Sequence, residues 1–457
     1  MNKKLNYKVK DTLELHIDGL GSNGEGVGKA EGFTFFVPGA LPGEQVLLQI
    51  RQIKKNYGVG SLVKVIEKSE QRVAPQCPVY KQCGGCQLQH LSYAGQLAVK
   101  KQQVTDALER IGHFRGIKVE PTLGAVHPWH YRNKMQVPVA GGKKGVLDIG
   151  CYAQATHRVI NVEECYIQKE ANNKIAALVR QWMTKFHITA LQEDERTGLI
   201  RHIMGRVGVA TGEVMVVLIT NELQVPRLKE LVSLLKQELP GFTTLVQNVN
   251  TRHTNVIMGP KSKTIYGPGF IKDKLGQFAF NISPQSFFQV NTEQAERLYN
   301  TALSYAGLTG KENVIDVYCG TGTITLFLAQ KAKFALGIEI VPEAIKDAIR
   351  NARNNKVGNA QFICGDAAQE LPRLVQDGVK PDVIVLDPPR AGCEEKVLTA
   401  IAAVKPKKVV YVSCNPASLA RDAAILCQRG YEIKKVQPVD MFPHTHHVET
   451  VVLMSRI

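Results

Sequence analysis

The C-terminal third of this chain takes its fold from Val314-Ile315-Asp316-Val317-Tyr318-Cys319-Gly320-Thr321-Gly322-Thr323. The stretch opens with a mainly apolar run typical of a buried strand, then turns through two glycines into a helical segment. Gly320 and Gly322 would let backbone amides approach a ligand closely at the N-terminus of that helix. The stretch therefore predicts a strand, a turn and a helix that hold a nucleotide-like cofactor.

Strand-like and helical segments alternate through the rest of this region. Seven strand-like runs fall at residues 313–317, 334–339, 360–363, 382–386, 408–412, 431–437 and 448–454. The alternation predicts a Rossmann-like α/β domain with a mainly parallel sheet and crossover helices. Only a loop separates the last two runs, which is too short for a crossover helix, so the seventh strand is predicted to be antiparallel.

Two acids sit where strands of this sheet end. Glu339 ends the second run, where a carboxylate can accept both ribose hydroxyls, and Asp366 follows the third run and could face an adenine. A dinucleotide fingerprint needs a third glycine, which Ile324-Thr325 does not provide. The glycines alone could form an ordinary tight turn, but with these acids the pattern favours S-adenosylmethionine over NAD.

A cysteine ends the fifth run, in Val409-Val410-Tyr411-Val412-Ser413-Cys414-Asn415-Pro416. Open α/β sheets hold their ligands at this edge. The fourth run ends in Asp387-Pro388-Pro389-Arg390-Ala391-Gly392, where two prolines stiffen the loop and can hold Asp387 against a flat polar substrate. Glu449 lies in the last run. Together these residues predict a cysteine nucleophile beside a bound methyl donor.

Composition limits the class of protein. A chain of 457 residues is too long for a single hydrophobic core, so two or three domains are predicted. The 44% hydrophobic and 21% charged content is that of a globular protein. We find no run of about 18 apolar residues and no apolar stretch after the first lysines, so neither a membrane span nor a secretory signal is expected. Ten cysteines without an export signal predict reduced thiols and a cytoplasmic location.

The net charge of +16 is concentrated in the middle of the chain. Residues 71–290 carry 27 basic and 15 acidic side chains, whereas residues 1–70 and 291–457 each have a net charge of +2. Concentrated positive charge suits a phosphate backbone, although it also serves solubility. We predict three domains: a small N-terminal β-barrel at 1–70, an α+β domain at 71–290 and the α/β domain at 291–457.

Local patterns support this division. Residues 11–67 contain short β-like runs, at 13–17, 33–37 and 44–50, separated by glycine turns as in a small β-barrel. From Tyr93 to Ile111 the apolar spacing is helical, and a second helical run covers Thr292 to Ala306. Strands and helices are mixed in between.

A cysteine cluster follows the predicted barrel. Cys77, Cys83 and Cys86 surround Gly84-Gly85, and a fourth ligand could come from Cys165 or Cys151. Four thiolates suit zinc and an iron–sulfur cubane equally, and the spacing alone favours zinc. The cysteines within the predicted α/β domain other than Cys414 are interpreted as small hydrophobic residues: Cys319, Cys364, Cys393 and Cys427.

Basic and aromatic residues are interleaved early in the central domain. They are Arg132, Lys134, Lys143, Lys144, Trp129 and Tyr131. This composition predicts contact with an unpaired RNA loop whose bases stack on aromatic rings.

The C-terminal motifs resemble the RNA 5-methyluridine methyltransferase family. The resemblance rests on Asp387-Pro388-Pro389-Arg390-x-Gly392, Tyr411-x-Ser413-Cys414-Asn415 and the stretch from Asp440-x-Phe442-Pro443-His444-Thr445 to Glu449. One departure is Ser418, where the signature has threonine. Residues 11–67 resemble the family's OB-like TRAM barrel, and Cys77 to Cys165 resemble its iron–sulfur segment. The combination is similar to the 23S ribosomal RNA members, whereas we expect the transfer RNA members to lack barrel and cluster.

This resemblance implies roles for particular residues. Cys414 would be the nucleophile that adds to C6 of uracil, and Glu449 the general base, with His447 orienting it. It implies S-adenosylmethionine contacts at Gln289, Tyr318, Glu339, Asp387, Asp366 and Thr323. The resemblance also implies a [4Fe–4S] cluster bound by Cys77, Cys83, Cys86 and Cys165. This implication reverses the preference for zinc, and Cys151 is not among the predicted ligands. The expected partner is 23S ribosomal RNA at one or two uridines, with no membrane and no obligate protein partner.

Three alternatives remain. A transfer RNA enzyme is opposed by the barrel and the cysteines, and a cytosine enzyme by Asp387, which stands where such enzymes carry a second cysteine. A non-catalytic RNA-binding assembly factor is opposed by the presence of Cys414 and Glu449.

Overall fold

The computed structural model describes residues 7–142, 146–192, 197–252 and 256–457. Within these ranges the strands form one six-stranded sheet, two seven-stranded sheets and a two-stranded hairpin. No helix in the described ranges is long and apolar enough to cross a membrane.

The N-terminal sheet has the order β1-β5-β6-β4-β3-β2. Its strands are β1 (Thr12–His16), β2 (Gly19–Leu20), β3 (Gly26–Ala30), β4 (Phe33–Val37), β5 (Gln45–Ile53) and β6 (Tyr57–Glu67). Val46, Leu48 and Ile50 alternate along β5 and are fully buried, as a strand with one core-facing side requires. A Cβ at Gly28 would lie 2.1 Å from the carbonyl oxygen of His16, so glycine permits the close approach that curls the sheet. The strands predicted at 13–17, 33–37 and 44–50 are confirmed.

The segment that carries the first three cysteines, residues 68–92, contains only isolated bridges. Helix α1 (Tyr93–Arg110) follows and is capped by Ser92, whose hydroxyl accepts a hydrogen bond from the amide of Gly95 at 3.1 Å. The helix predicted from Tyr93 is confirmed.

The central sheet has the order β13-β12-β11-β10-β7-β8-β9. It comprises β7 (Lys134–Gly141), β8 (Leu147–Tyr152), β9 (Val159–Asn161), β10 (Ile200–Val207), β11 (Val214–Thr220), β12 (Phe242–Val249) and β13 (Lys261–Tyr266), with helices α2 (Glu170–Lys185) and α3 (Leu228–Glu238). The helices bury Trp182 and Leu231 in the same core as Val216 and Leu218 of β11. This is the predicted α+β arrangement.

The C-terminal sheet has the order β18-β17-β16-β19-β20-β22-β21. The hairpin β14 (Ile271–Leu275) and β15 (Phe278–Ile282) precedes it, followed by α4 (Thr292–Ala306), β16 (Asn313–Val317), α5 (Thr323–Ala329), β17 (Phe334–Glu339), α6 (Pro342–Asn354), β18 (Ala360–Cys364), α7 (Ala367–Gln376), β19 (Val383–Leu386), α8 (Glu395–Val404), β20 (Lys408–Ser413), α9 (Pro416–Gln428), β21 (Tyr431–Val439) and β22 (Glu449–Arg456). The first five strands pair in parallel, and β22 is antiparallel to both neighbours, as predicted. The strand order reverses between β16 and β19, which is where such sheets bind ligands.

Helix α1 packs against this C-terminal domain although it lies early in the chain. Its Val104 and Leu108 belong to the same buried core as Leu419 of α9 and Val436 of β21. The hairpin β14–β15 also shares a core with α4. Packing is therefore continuous across residue 290, and the three-domain division stays a prediction.

Candidate active site

One cavity of about 990 Å³ extends from the carboxyl edge of the C-terminal sheet to the cysteine segment. It contains every predicted site residue except Asp366: Gln289, Tyr318, Thr323, Glu339, Asp387, Cys414, Glu449, Cys77, Cys83, Cys86 and Cys165. Residues far apart in the sequence thus converge on a single space.

The glycine turn forms one wall of the cavity. Gly320 (φ +52°), Gly322 (φ +81°) and Tyr318 (φ +69°) adopt left-handed backbone conformations. A Cβ at Gly322 would also lie 2.9 Å from the ring of Phe362, so only glycine fits there. Helix α5 begins at Thr323, which lines the cavity, and the first amides of a helix lack partners within it. The turn can therefore hold an anionic group.

Glu339 holds the same turn from the end of β17. Its carboxylate accepts hydrogen bonds from the amides of Gly320 at 3.1 Å and Val341 at 3.0 Å. A carboxylate has about four lone-pair sites, so both oxygens can still accept a hydroxyl. Since Glu339 lines the cavity, its position fits the predicted contact with a ribose.

Asp366 lies outside the lining of this cavity. Its carboxylate caps α7 through the amide of Ala368 at 2.9 Å and accepts a hydrogen bond from the ammonium of Lys396 at 2.9 Å. The hydrogen bond from Lys396 holds the pKa of Asp366 below its usual value. The contact between Asp366 and an adenine stays a prediction, and the carboxylate of Asp366 already has two hydrogen-bond partners, Ala368 and Lys396.

Gln289 reaches the cavity from the segment before α4. The side-chain amide of Asn133 donates to the backbone carbonyl of Gln289 at 3.0 Å, and Phe288 is buried beside it. The Gln289 side chain faces the hydroxyl of Tyr299, a buried residue of α4 whose pKa is raised by burial. The packing thus brings Gln289 to the sheet edge although it precedes the sheet.

Cys414 and Glu449 leave neighbouring strands at the same edge. Ser413 of β20 is paired with Thr450 of β22, and this antiparallel register places the next residues, Cys414 and Glu449, beside each other. The Asn415 side chain donates to the carbonyl oxygen of Arg390 at 2.9 Å, which ties the cysteine turn to the neighbouring loop. Both predicted catalytic residues therefore face one space.

Three acidic groups meet in this space. Burial, together with the charges of Glu449 and Asp387, raises the pKa of Cys414 to about 11. Burial and the charge of Asp387 raise the pKa of Glu449 to about 8, and burial raises that of Asp387 to about 7. The guanidinium of Arg390 opposes the shifts of Cys414 and Glu449. At neutral pH the Cys414 thiol is therefore protonated, and Glu449 can exchange a proton near that pH.

The end of the proline-rich loop from Asp387 to Gly392 is anchored by a buried aspartate of α9. Asp422 of α9 is fully buried and accepts hydrogen bonds from the amide of Cys393 at 2.7 Å and the hydroxyl of Tyr411 at 2.6 Å. These contacts fix the end of the loop against β20.

His447 contacts Arg390, at 3.4 Å between the guanidinium and the imidazole. Burial, with the charges of His446 and Arg390, lowers the pKa of His447 to about 3, so the ring is neutral. Its role in orienting Glu449 stays a prediction.

The cysteines of the predicted cluster gather at the other end of the cavity. Burial, together with the charges of Cys165, Cys83 and Cys77, raises the pKa of Cys86 to about 12. A hydrogen bond from the thiol of Cys151 lowers the pKa of Cys83. In the described part of the chain, no three His, Cys, Asp or Glu side chains lie close enough to hold one metal ion. The set of four cysteine ligands stays a prediction. Cys151, which is not in that set, lies beside Cys83.

The predicted RNA-contacting residues fall into four groups. Arg132 lines the cavity, and Lys134 is the first residue of β7. Tyr131 is only 5% exposed and donates its hydroxyl to the carbonyl of Pro443, so the prediction that it stacks on RNA bases is wrong. Trp129 stacks on His444, with 3.6 Å between ring centroids. The remaining two, Lys143 and Lys144, lie outside the described residues.

Sequence analysis missed residues that line the cavity without belonging to a motif. Examples are Tyr299 and Phe287, a 72% exposed aromatic residue at the cavity. Two consecutive phenylalanines, Phe287-Phe288, directly before Gln289 were the available signal for the last of these.

A glycine turn, an acid at the next strand end and a buried thiol on one sheet edge define the class of methyltransferases with an α/β cofactor fold. The chain belongs to the RNA uracil-5-methyltransferase family, because residues 92–457 match the family model described as tRNA (Uracil-5-)-methyltransferase. Residues 7–63 match the TRAM domain. The resemblance to this family and its barrel is confirmed.

Proteins of similar length support the assignment. The chain is 48% identical to an RNA methyltransferase of Clostridium acetobutylicum, over 100% of both chains. It is 50% identical to an RNA methyltransferase of Halalkalibacterium halodurans, over 97% of each. A solved structure, the tRNA (uracil-54, C5)-methyltransferase of Pyrococcus abyssi in complex with S-adenosyl-L-homocysteine, matches with a TM-score of 0.77 and 27% identity, covering 97% of this chain and 100% of that one.

Proposed function

We propose that this protein methylates C5 of a uridine in 23S ribosomal RNA, with Cys414 as nucleophile and Glu449 as general base. The observation that carries the proposal is the pairing of β20 with β22, which brings this thiol and this carboxylate to the cavity that also contains the glycine turn. A 23S rRNA substrate would place the enzyme in the cytoplasm.

The chemistry follows from the weak nucleophilicity of uracil C5. The thiolate of Cys414 adds to C6, and the electrons of the C5–C6 double bond form an enolate that makes C5 electron-rich. C5 then takes the methyl group from the sulfonium, whose carbon–sulfur bond breaks to leave a neutral thioether, after which Glu449 removes the C5 proton and the thiolate leaves as the double bond re-forms. Because the pKa of Cys414 is about 11, the attack uses the small thiolate fraction, whose proton has gone to water and not to Glu449. The target base must first be flipped out of its RNA fold.

The cofactor is proposed to lie between the glycine turn and the thiol. Bound S-adenosylmethionine supplies an electrophilic methyl group on a sulfonium. Tyr318, Thr323 and Gln289 would contact it, Glu339 would accept its ribose hydroxyls, and the carboxylate of Asp387 would face the reacting centre. The Pyrococcus abyssi structure holds S-adenosyl-L-homocysteine, which supports this choice of cofactor.

Removing the carboxylate of Glu339 is expected to weaken cofactor binding. Hydrogen bonds to a charged group contribute about 1.5–3 kcal/mol, so Glu339→Ala should raise the dissociation constant of S-adenosylmethionine about 10- to 100-fold in calorimetry. The matched control is Glu343→Ala, an exposed acid four residues along the chain that pairs with Lys346. Unchanged affinity in Glu339→Ala would remove this residue from the site.

A [4Fe–4S] cluster is proposed on Cys77, Cys83, Cys86 and Cys165. The support is that these thiols line one end of the cavity and that the charges of Cys77 and Cys83 raise the pKa values of Cys86 and Cys165. A cubane binds each cysteine through a separate iron, so its ligands lie further apart than those of a single ion. The cluster would shape the surface that receives the RNA.

Loss of one cluster ligand is expected to lower the iron content of the protein purified without oxygen. We expect about four irons per chain in the parent and fewer than about one in Cys77→Ser, with loss of the visible absorption typical of a four-thiolate cluster. Cys427→Ser, on α9, should keep its iron. A parent that contains one zinc and no iron would contradict the cluster.

The barrel does not distinguish ribosomal from transfer RNA enzymes, contrary to our prediction. A transfer RNA (uracil-54, C5)-methyltransferase matches this chain over 97% of its length, which must include barrel residues. The proposal for 23S rRNA therefore depends on the resemblance of the cysteine segment and on the positive charge of residues 71–290. The transfer RNA enzyme is the second candidate, and it is favoured by that structural match.

A substrate competition separates these candidates. The purified protein is given labelled S-adenosylmethionine and equal amounts of unmodified 23S rRNA and transfer RNA transcripts, and 5-methyluridine is mapped in each. We expect the label in 23S rRNA. Label only in transfer RNA would overturn the choice of substrate, and no label in either RNA would favour the non-catalytic assembly factor.

A further inference from the structure

The loop from Asp440 to His447 connects β21 with β22 and delivers Glu449 to the cavity. Helix α1 and neighbouring residues early in the chain hold this loop, although about 300 residues separate them in the sequence. We call it the base loop. Its contacts show how a remote element can control the position of the proposed base.

The strongest contact is a buried ion pair. The ammonium of Lys100 on α1 lies 2.5 Å from the carboxylate of Asp440, and the two side chains are 1% and 0% exposed. The same ammonium donates to the backbone carbonyl of Phe442 at 3.1 Å. Tyr93, also on α1, donates its hydroxyl to the second carboxylate oxygen at 2.9 Å. Two residues about two turns apart on α1 therefore bind two points of the base loop, Asp440 and Phe442.

The middle of the base loop is held as tightly. The carbonyl oxygen of His444 accepts hydrogen bonds from the amides of Gln87 at 3.0 Å and Leu88 at 2.9 Å. The side-chain carbonyl of Gln96 on α1 accepts from the His444 amide at 2.8 Å, and Trp129 stacks on its ring. Contacts to α1, to Gln87 and Leu88 and to Trp129 thus hold the base loop along its length.

A buried ion pair is a poor source of stability, because desolvation offsets much of the attraction. Apolar residues of similar volume would hold α1 against the loop at least as well. A charged pair instead enforces one direction and one register, since any other position of the loop would leave a buried charge without a partner. Asp440 directly follows Val439, which is paired with Glu449 across the two strands. The pair therefore fixes the strand ends from which the proposed base projects.

We propose that Lys100 is a positioning residue for proton abstraction: through its ion pair with Asp440 it sets the base loop and so the carboxylate of Glu449. The inference rests on the proposed role of Glu449 and goes beyond it, because it makes α1 part of the machinery of one step. Addition of Cys414 and methyl transfer do not need the base, whereas removal of the C5 proton does. A displaced base stalls the reaction after methylation, with Cys414 still bound to the RNA.

The test follows tritium release from RNA carrying 5-tritiated uridine, together with the covalent protein–RNA complex on denaturing gels. In Lys100→Met we expect tritium release to slow about 10- to 100-fold, as a misplacement of about 1 Å can do. Covalent complex on natural RNA should accumulate, with the affinity for S-adenosylmethionine unchanged within about twofold. Lys101→Met, the next residue of the same helix, should match the parent.

Because Lys100→Met leaves Asp440 buried without its cation, that variant can lose its fold. The double variant Lys100→Met/Asp440→Leu removes both charges, and it should fold yet show the same slow release and the same accumulation. A folded double variant that releases tritium at the parental rate would overturn the proposal. If Glu449→Gln accumulates no covalent complex, the proposed role of Glu449 fails. If Glu449→Gln accumulates the complex but the double variant does not, only the role of Lys100 fails.

Discussion

Replacing Cys414 by alanine is expected to abolish methyl transfer to RNA. Without the thiolate, uracil C5 stays too poor a nucleophile, and loss of an enzymatic nucleophile lowers turnover by at least about 10⁴-fold. Binding of S-adenosylmethionine should persist, since the glycine turn and Glu339 are untouched. Incorporation of labelled methyl groups into unmodified 23S rRNA measures the effect, and calorimetry measures cofactor affinity.

The matched control is Cys427→Ala, a partly buried cysteine of α9 that does not line the cavity. It should retain the parental rate. A Cys414→Ala variant that methylates RNA within about tenfold of the parent would exclude covalent catalysis at this position.

Replacing Glu449 by glutamine is expected to uncouple methylation from product release. General base catalysis contributes about 10²- to 10⁴-fold, so tritium release from 5-tritiated uridine should fall by that factor. Covalent complex should then accumulate on natural RNA. Because the base must be deprotonated and its pKa is about 8, tritium release by the parent should rise as the pH approaches about 8 and level off above it.

Asp387 is the control for this pH dependence, because its own pKa is about 7 and its charge raises that of Glu449. In Asp387→Asn the midpoint of the tritium-release profile should move to lower pH. If Glu449→Gln released tritium at the parental rate, the base would have to be another residue.

The sequence was sufficient to predict the C-terminal sheet because its strands are buried on both faces. Such strands are continuous apolar runs, and β16, β17 and β20 were found within one residue of their bounds. The motifs were equally informative, since Cys414 and Glu449 lie at strand ends, where sheet topology alone brings residues together.

What could not be predicted depends on packing between distant segments. Nothing near Lys100 signals burial, because a lysine on a helix is usually exposed and its partner lies 340 residues away. The prediction that Tyr131 stacks on RNA bases failed for the same reason. An aromatic side chain suits stacking, but residues distant in the sequence bury Tyr131. The position of Cys151 beside Cys83 likewise follows from the bridge between Cys83 and Ala153, which no local pattern encodes.

The most direct test is to map the covalent bond itself. RNA carrying 5-fluorouridine at the target position cannot lose its fluorine as a cation, so the reaction should stop with enzyme and methylated base joined. After digestion with protease and nuclease, mass spectrometry should locate the modified nucleotide on Cys414, with one added methyl group. Attachment to a different residue, or complete methylation of normal RNA by an enzyme that never forms the fluorinated adduct, would contradict the mechanism.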